Sequence, residues 1–140
     1  MTPDNVRTLL HNRGTRLNPG ASNDDISSLK LRAKTVIDER IVNYYRSFNG
    51  FKEDFDNDSF ISLWPIEGII SEKPLLVEGK LLLPFADFSF SSDVYYGYFG
   101  DGECKIWSSL GKIFTQTSLL QFFSDFASGK FDDGLGIALA

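Results

Sequence analysis

The chain has 140 residues, with 42% apolar residues, 14% aromatic residues, a single cysteine and a formal net charge of −5. This composition is typical of one globular domain, and it excludes an intramolecular disulfide framework or a zinc site built on cysteines. The charge is uneven, because residues 1–50 carry eight Lys or Arg and five Asp or Glu, whereas residues 51–140 carry six and fourteen. A sequence pI of about 4.8 argues against nucleic acid as the ligand, since phosphate binding needs a basic patch.

The beginning of the chain gives no sign of a targeting segment. The first residues, MTPDNVRTLL, lack the basic segment and the apolar run of a secretory signal. No stretch approaches the roughly eighteen uninterrupted apolar residues of a membrane span. A single cysteine is also typical of a reducing compartment. We therefore expect a cytoplasmic protein with no membrane partner.

Two helices are predicted in the first part of the chain. Thr2 followed by Pro3 is typical of a helix start, because a hydroxyl can cap the free N–H groups and proline fits the first helical position. Ser22 or Asn23 can cap the second helix in the same way. The apolar positions recur with helical spacing at Val6, Leu9 and Leu10 in the first helix and at Ile26, Leu29 and Ala33 in the second.

A third helix is predicted to begin after Asp38 and to end at Asn49-Gly50. Asp38 can cap it, and Arg46 complements the negative end of the helix dipole. Gly50 suits the left-handed conformation that often follows a helix, where a Cβ would cost on the order of 1 kcal/mol. The predicted buried stripe is Ile41, Tyr44, Tyr45 and Phe48.

The second half of the chain predicts an antiparallel meander. A strand is expected over residues 60–64 and a short helical turn over residues 66–70. Three alternating, aromatic-rich segments then follow between residues 81 and 114, separated by Gly, Ser and Asp. Alternation allows only one of Tyr95 and Tyr96 to face the helices, so the other is a candidate surface residue.

The end of the chain predicts one more helix and a tail. Thr115 or Thr117 can cap this helix, which carries Phe122 and Phe126 on its apolar face and closes at Gly129. We expect the tail, residues 130–140, to be loosely held.

The candidate metal site is a loop rich in aspartate. Asp54, Asp56 and Asp58 alternate as in a calcium-binding loop, but Ser59 stands where that loop needs Gly and Pro65 where it needs a bidentate Glu. A solvated acidic loop is the better interpretation, so we predict no metal site.

The other patterns that could carry catalysis are weak. His11 is the only histidine, and a serine hydrolase would have to use it. Cys104 lies in an alternating segment, where cysteine usually behaves as a small apolar residue. The glycines at 97, 100 and 102 form no nucleotide-binding fingerprint. A carboxylate pair for glycoside hydrolysis stays open, although no spacing favours it. We predict no catalytic residue, no cofactor and no enzymatic activity.

Six segments carry a resemblance to a known family. They are residues 26–29, 37–50 with the sequence IDERIVNYYRSFNG, 60–67 with FISLWPIE, 85–89, 94–96 and 118–123. In this order they resemble the SUKH superfamily, which contains bacterial immunity proteins of polymorphic toxin systems and the yeast regulator of cell-wall glucan synthesis. The resemblance covers about residues 22–128 of a single domain spanning residues 1–140.

The resemblance implies both a fold and a function. The fold is α+β, with a central, mostly antiparallel twisted sheet flanked by N-terminal helices and a C-terminal helix. The function is that of a protein-binding module, with no catalytic residues to carry over. Bacterial members neutralise a cognate toxin, commonly a nuclease or a nucleic-acid deaminase, by direct contact. The alternative is a regulatory or scaffold role like that of the yeast member.

The predicted partner-binding surface is acidic, because a toxin that acts on nucleic acid is often basic around its cleft. We expect a monomer or weak dimer that binds a basic protein partner and no nucleic acid. Tyr95 or Trp107 is a possible aromatic anchor in this surface. The full set of predicted contact residues is Asp54, Asp56, Asp58, Asp87, Asp93, Tyr95, Asp101, Glu103 and Trp107.

Overall fold

A computed structural model describes residues 1–52, 55–56 and 58–132. Within these residues, helices dominate the first half and strands the second, which confirms the predicted α+β fold. The helices are α1 (Pro3–Asn12), α2 (Asn23–Ala33), α3 (Glu39–Ser47), α4 (Ile66–Ser71) and α5 (Leu119–Ala127). The strands are β1 (Ile61–Leu63), β2 (Leu75–Val77), β3 (Lys80–Phe88), β4 (Asp93–Gly97), β5 (Lys105–Ser108) and β6 (Ile113–Ser118).

The strands form an antiparallel sheet in the order β1-β3-β4-β5-β6, and β2 pairs with the beginning of β3. The predicted meander is therefore confirmed. The prediction missed β6, because Thr115 and Thr117 suit a helix cap as well as a strand. Both are buried strand residues, and the cap of α5 is Ser118, whose side chain accepts a hydrogen bond from the Gln121 N–H at 3.1 Å.

Local capping defines the first three helices, as predicted. Thr2 and Ser22 cap α1 and α2, and each forms a capping box with the residue three positions later. Asp38 caps α3 by accepting a hydrogen bond from the Arg40 N–H at 3.0 Å. Gly50 has a φ of +70°, the left-handed conformation expected after this helix.

The core lies between one face of the sheet and the helices. Phe122 of α5 packs edge-on against Phe85 of β3, with 5.1 Å between ring centroids, and its ring lies 6.0 Å from that of Tyr95 of β4. Tyr44 of α3 stacks on Phe123 of α5 at 4.3 Å. The residues of the predicted helical stripes at Ile26, Leu29, Ile41 and Phe48 are buried in the same cluster.

The beginning of the predicted loose tail is packed. Phe131 is buried and its ring lies 5.4 Å from that of Phe122. Asp132 binds the guanidinium of Arg13 at 2.6 Å. For these two residues the prediction is wrong, because both lie against α1 and α5; residues 133–140 lie outside the described part of the chain. None of the described helices has the length and apolarity that crossing a membrane requires.

Candidate functional site

The predicted acidic residues do not form one surface. Ile61 pairs with Phe88 and Phe88 pairs with Asp93, so these three residues mark one end of the sheet. Gly97 closes β4 at the opposite end, and Asp101 and Glu103 lie in the connection that follows it. The structure therefore divides the predicted set between two ends of the sheet.

Asp56 is buried rather than exposed. It accepts hydrogen bonds from Arg13 Nη2 at 2.8 Å, from the Ser59 N–H at 2.9 Å and from Ser59 Oγ at 2.8 Å. Burial favours a raised pKa for the Asp56 carboxyl, but the hydrogen bonds from Arg13 and Ser59 outweigh it and leave the pKa below its ordinary value. Asp56 therefore shapes its own loop and is not available to a partner.

Asp87 and Asp93 are buried in the same way, and each holds a neighbouring loop. Asp87 accepts hydrogen bonds from Trp64 Nε1 at 2.9 Å and from the Ser91 N–H at 2.7 Å. Asp93, only 1% exposed, accepts one from Ser108 Oγ at 2.7 Å and one from the Leu110 N–H at 2.9 Å. The assignment of Asp56, Asp87 and Asp93 as exposed contact residues is wrong, because turn formation uses their oxygens.

The three loops held by these aspartates present apolar side chains to solvent. We call residues 58–60, 89–92 and 109–113 the three-loop end. Phe90 is 75% exposed and Leu110 is 67% exposed, although most large apolar side chains of this chain are buried. The exposed apolar side chains of the three-loop end are Phe60, Phe90, Leu110 and Ile113.

Contacts join the first two of these loops, residues 58–60 and 89–92, to each other. The Ser89 N–H donates to the Phe60 carbonyl at 2.9 Å, which links the first two loops. The ring of Phe55 packs edge-on against Phe90 at 4.8 Å and lies 5.7 Å from Phe60. Phe55, Phe90 and Ser91 also border a depression of about 440 Å³.

Left-handed backbone is concentrated at the three-loop end. Seven described residues other than glycine have a positive φ, and five of them lie in these loops. Such conformations are uncommon for bulky residues and occur often at binding sites, where the surrounding structure must hold them. The five residues are Phe60, Ser89, Phe90, Ser91 and Lys112.

Asp58 is the exposed acid of the three-loop end. Its side chain is 68% exposed, and its carboxylate lies 3.9 Å from Arg13 Nη2. Because Asp58 is largely solvated and this distance is long, the pair contributes little to stability, and the carboxylate can also interact with a partner. Asp54, the first residue of the predicted acidic loop, lies outside the described residues.

The two predicted aromatic anchors lie elsewhere. Tyr95 is 1% exposed and packs in the core, so its assignment as a surface contact is wrong. The reason is that β4 turns Tyr95 towards α5 and Tyr96 towards the opposite face. Trp107 pairs with Tyr96 on that outer face, where it is half-buried and packs edge-on against Phe114 at 5.0 Å.

The second acidic cluster lies beside the beginning of α3. Arg40 Nη1 donates to Glu103 at 2.8 Å, and Arg40 Nη2 lies 3.8 Å from Asp101. Both carboxylates are more than half exposed, and the cluster also contains Asp38. Because Arg40 neutralises part of this charge, the cluster is less acidic than the sequence indicates.

Asp38 gives this cluster a testable pH dependence. The hydrogen bond from Arg40 lowers the pKa of Asp38 to about 2, and the Gly102 N–H adds to this effect. Since the pKa is higher in the unfolded chain, at about 3.8, the stabilisation is complete above about pH 4 and is lost towards pH 2. We therefore expect the Asp38→Asn substitution to cost more unfolding free energy at about pH 5 than at about pH 2.5. Urea unfolding at both pH values checks this, and an equal cost at the two would contradict it.

Sequence reasoning missed the exposed apolar residues of the three-loop end. A signal was present, since Phe90 lies in the stretch SFSS and Leu110 in SSLG, where small polar residues predict turns. A large apolar residue inside such a turn has little access to a core and is a candidate contact residue.

Comparison with known proteins adds no assignment, because neither a family model nor a curated protein matches this chain.

Proposed function

We propose that this chain is a protein-binding module that binds its partner at the three-loop end. The partner is a cognate toxin, which the chain neutralises by direct contact. The observation that carries the proposal is the exposure of Phe60, Phe90 and Leu110 on loops held by buried aspartates. Phe60 and Phe90 both pack against the ring of Phe55, and exposed apolar clusters are typical of interaction sites on soluble proteins.

Preorganisation is the physical reason for favouring these loops over the rest of the surface. Binding energy at protein interfaces is concentrated in a few anchor side chains, and ordering a loop on binding reduces the gain. Here the hydrogen bonds to Asp56 and Asp87 order the loops before a partner arrives. The depression beside Phe55 and Phe90 can receive a side chain of the partner.

Charge and resemblance support the class of partner. Asp58 is exposed beside the apolar cluster, and the chain carries a net charge of −5, so a basic partner would be attracted electrostatically. The segments at residues 37–50, 60–67 and 85–89 resemble the SUKH superfamily, whose bacterial members are immunity proteins. Phe60 and Ser89 of these segments belong to the three-loop end.

The main test is co-expression with the product of a neighbouring toxin-like reading frame, followed by pull-down and a toxicity rescue assay. We expect a complex and rescue by the wild-type chain, and we expect Phe90→Ser to weaken the complex tenfold or more. Leu31→Ser is the matched control, because Leu31 is 80% exposed on α2 and should not affect binding. The proposal would be rejected if the wild-type chain formed no complex and gave no rescue. Equal loss of binding in Phe90→Ser and Leu31→Ser would reject the three-loop end as the site.

A separate prediction concerns the charge of Asp58. We expect Asp58→Asn to slow association with the partner at low salt and to change the unfolding free energy little, because the side chain is exposed. Stopped-flow association at two salt concentrations measures the effect, with Asp24→Asn on α2 as the control. If Asp58→Asn does not change the association rate at low salt, Asp58 does not face the partner.

A further inference from the structure

A second surface lies along the open edge of the sheet beside β1. The segment at residues 16–18 pairs with residues 50–52, and the Phe51 N–H donates to the Leu63 carbonyl of β1 at 2.8 Å. These pairings extend the sheet by two short segments beyond β1. A groove of about 930 Å³ runs between this outermost segment and α1.

The backbone of Leu17 forms the open edge. The Asn18 N–H donates to the Gly50 carbonyl at 3.1 Å, and the Lys52 N–H donates to the Arg16 carbonyl at 2.9 Å. This pattern makes Leu17 and Phe51 a non-hydrogen-bonded pair, in which the N–H and C=O of each residue point away from the other. Neither group of Leu17 has a hydrogen-bond partner among the described residues, and Leu17 lines the groove.

The walls of the groove are basic, although the chain as a whole is acidic. Arg7 and His11 of α1 face Arg16 and Lys52 across it, and none of its described lining residues is acidic. Asp4 lies 3.6 Å from Arg7, but both side chains are about half exposed or more, so this pair holds Arg7 only weakly. Lys52 also borders the depression beside Phe55 and Phe90, whereas Arg7 and His11 line only the groove.

We propose that this groove binds an extended acidic polypeptide, which adds a strand beside Leu17 and places its carboxylates against Arg7 and Lys52. An unpaired N–H and C=O on one residue match a peptide backbone, which offers both a donor and an acceptor. A nucleic-acid backbone lacks the regular donors that the Leu17 carbonyl requires. The proposal does not depend on the toxin or on the three-loop end.

The test uses a labelled peptide of alternating Glu and Val, titrated with the full chain by fluorescence polarisation at low salt. We expect binding that Arg7→Glu combined with Lys52→Glu weakens tenfold or more, because two attractive charges become repulsive. Lys30→Glu combined with Lys73→Glu makes the same change in net charge at exposed positions outside the groove, and should leave the affinity within about twofold.

Four further measurements separate strand addition from other modes of binding. We expect N-methylation of alternate peptide bonds to abolish binding, and the Leu17 amide resonance to shift with the unmodified peptide. Unchanged affinity of the methylated peptide would overturn the proposal. It would also be overturned if inorganic phosphate displaced the peptide at equal concentration, or if single-stranded oligothymidylate bound more tightly than the peptide.

Discussion

Gly50→Ala is expected to lower the unfolding free energy by about 2–4 kcal/mol. The φ of +70° at Gly50 costs a residue with a Cβ about 1 kcal/mol. The added Cβ would also lie 2.5 Å from the carbonyl carbon of Trp64, and backbone atoms cannot swing aside as a side chain can. Overpacking of this kind adds about 1–3 kcal/mol.

Gly79→Ala is the matched control for this prediction. Gly79 has a φ of +78°, and a Cβ there would meet no atom within 4 Å. We expect Gly79→Ala to lower the unfolding free energy only by the cost of the left-handed backbone, about 1 kcal/mol. Urea unfolding of both variants measures the two losses. Equal losses at the two positions would show that the approach of Trp64 and Pro65 does not contribute.

Arg13→Ala is the second substitution with a large expected effect, a loss of about 2–4 kcal/mol in unfolding free energy. Arg13 joins the end of α1 to Asp56 at 2.8 Å and to Asp132 at 2.6 Å, and the side chain of Asp56 is only 3% exposed. Without the guanidinium, Asp56 would keep a buried charge supported mainly by Ser59. These carboxylates also hold the pKa of Arg13 above its ordinary value, so the guanidinium stays charged.

Arg40→Ala is the control for Arg13→Ala. Arg40 also bridges two carboxylates, Asp38 and Glu103, at 2.8 Å each, but its side chain is 54% exposed. Water can replace these contacts, so we expect a much smaller loss than at Arg13. Urea unfolding at neutral pH compares the two variants, and an equal loss would contradict the role assigned to burial.

Arg13→Ala should also reduce the local order of the three-loop end. Asp56 orders the loop that carries Phe60, so its displacement should increase amide hydrogen exchange at Ser59 and Phe60. Exchange in the centre of β4 should change only as far as global stability changes. Uniform acceleration over the whole chain would show that Arg13 stabilises the fold without ordering this loop.

The sequence by itself determined the features that depend on neighbouring residues. The caps at Thr2, Ser22 and Asp38, the left-handed Gly50 and the alternating strands were all predictable, because each depends on residues a few positions apart. The α+β class followed from the order of these elements. The fourth strand of the meander was missed because Thr115 and Thr117 suit a helix cap and a strand equally well.

The tertiary structure decided which polar residues are exposed, and with that the candidate site. Asp56 and Asp58 look equivalent in the sequence, but only Asp56 meets Arg13 and Ser59 in the interior, and Arg13 lies 43 positions away. Tyr95 and Tyr96 differ only in which one β4 turns towards α5. Burial and charge pairing depend on contacts between distant parts of the chain, and local sequence patterns do not contain that information.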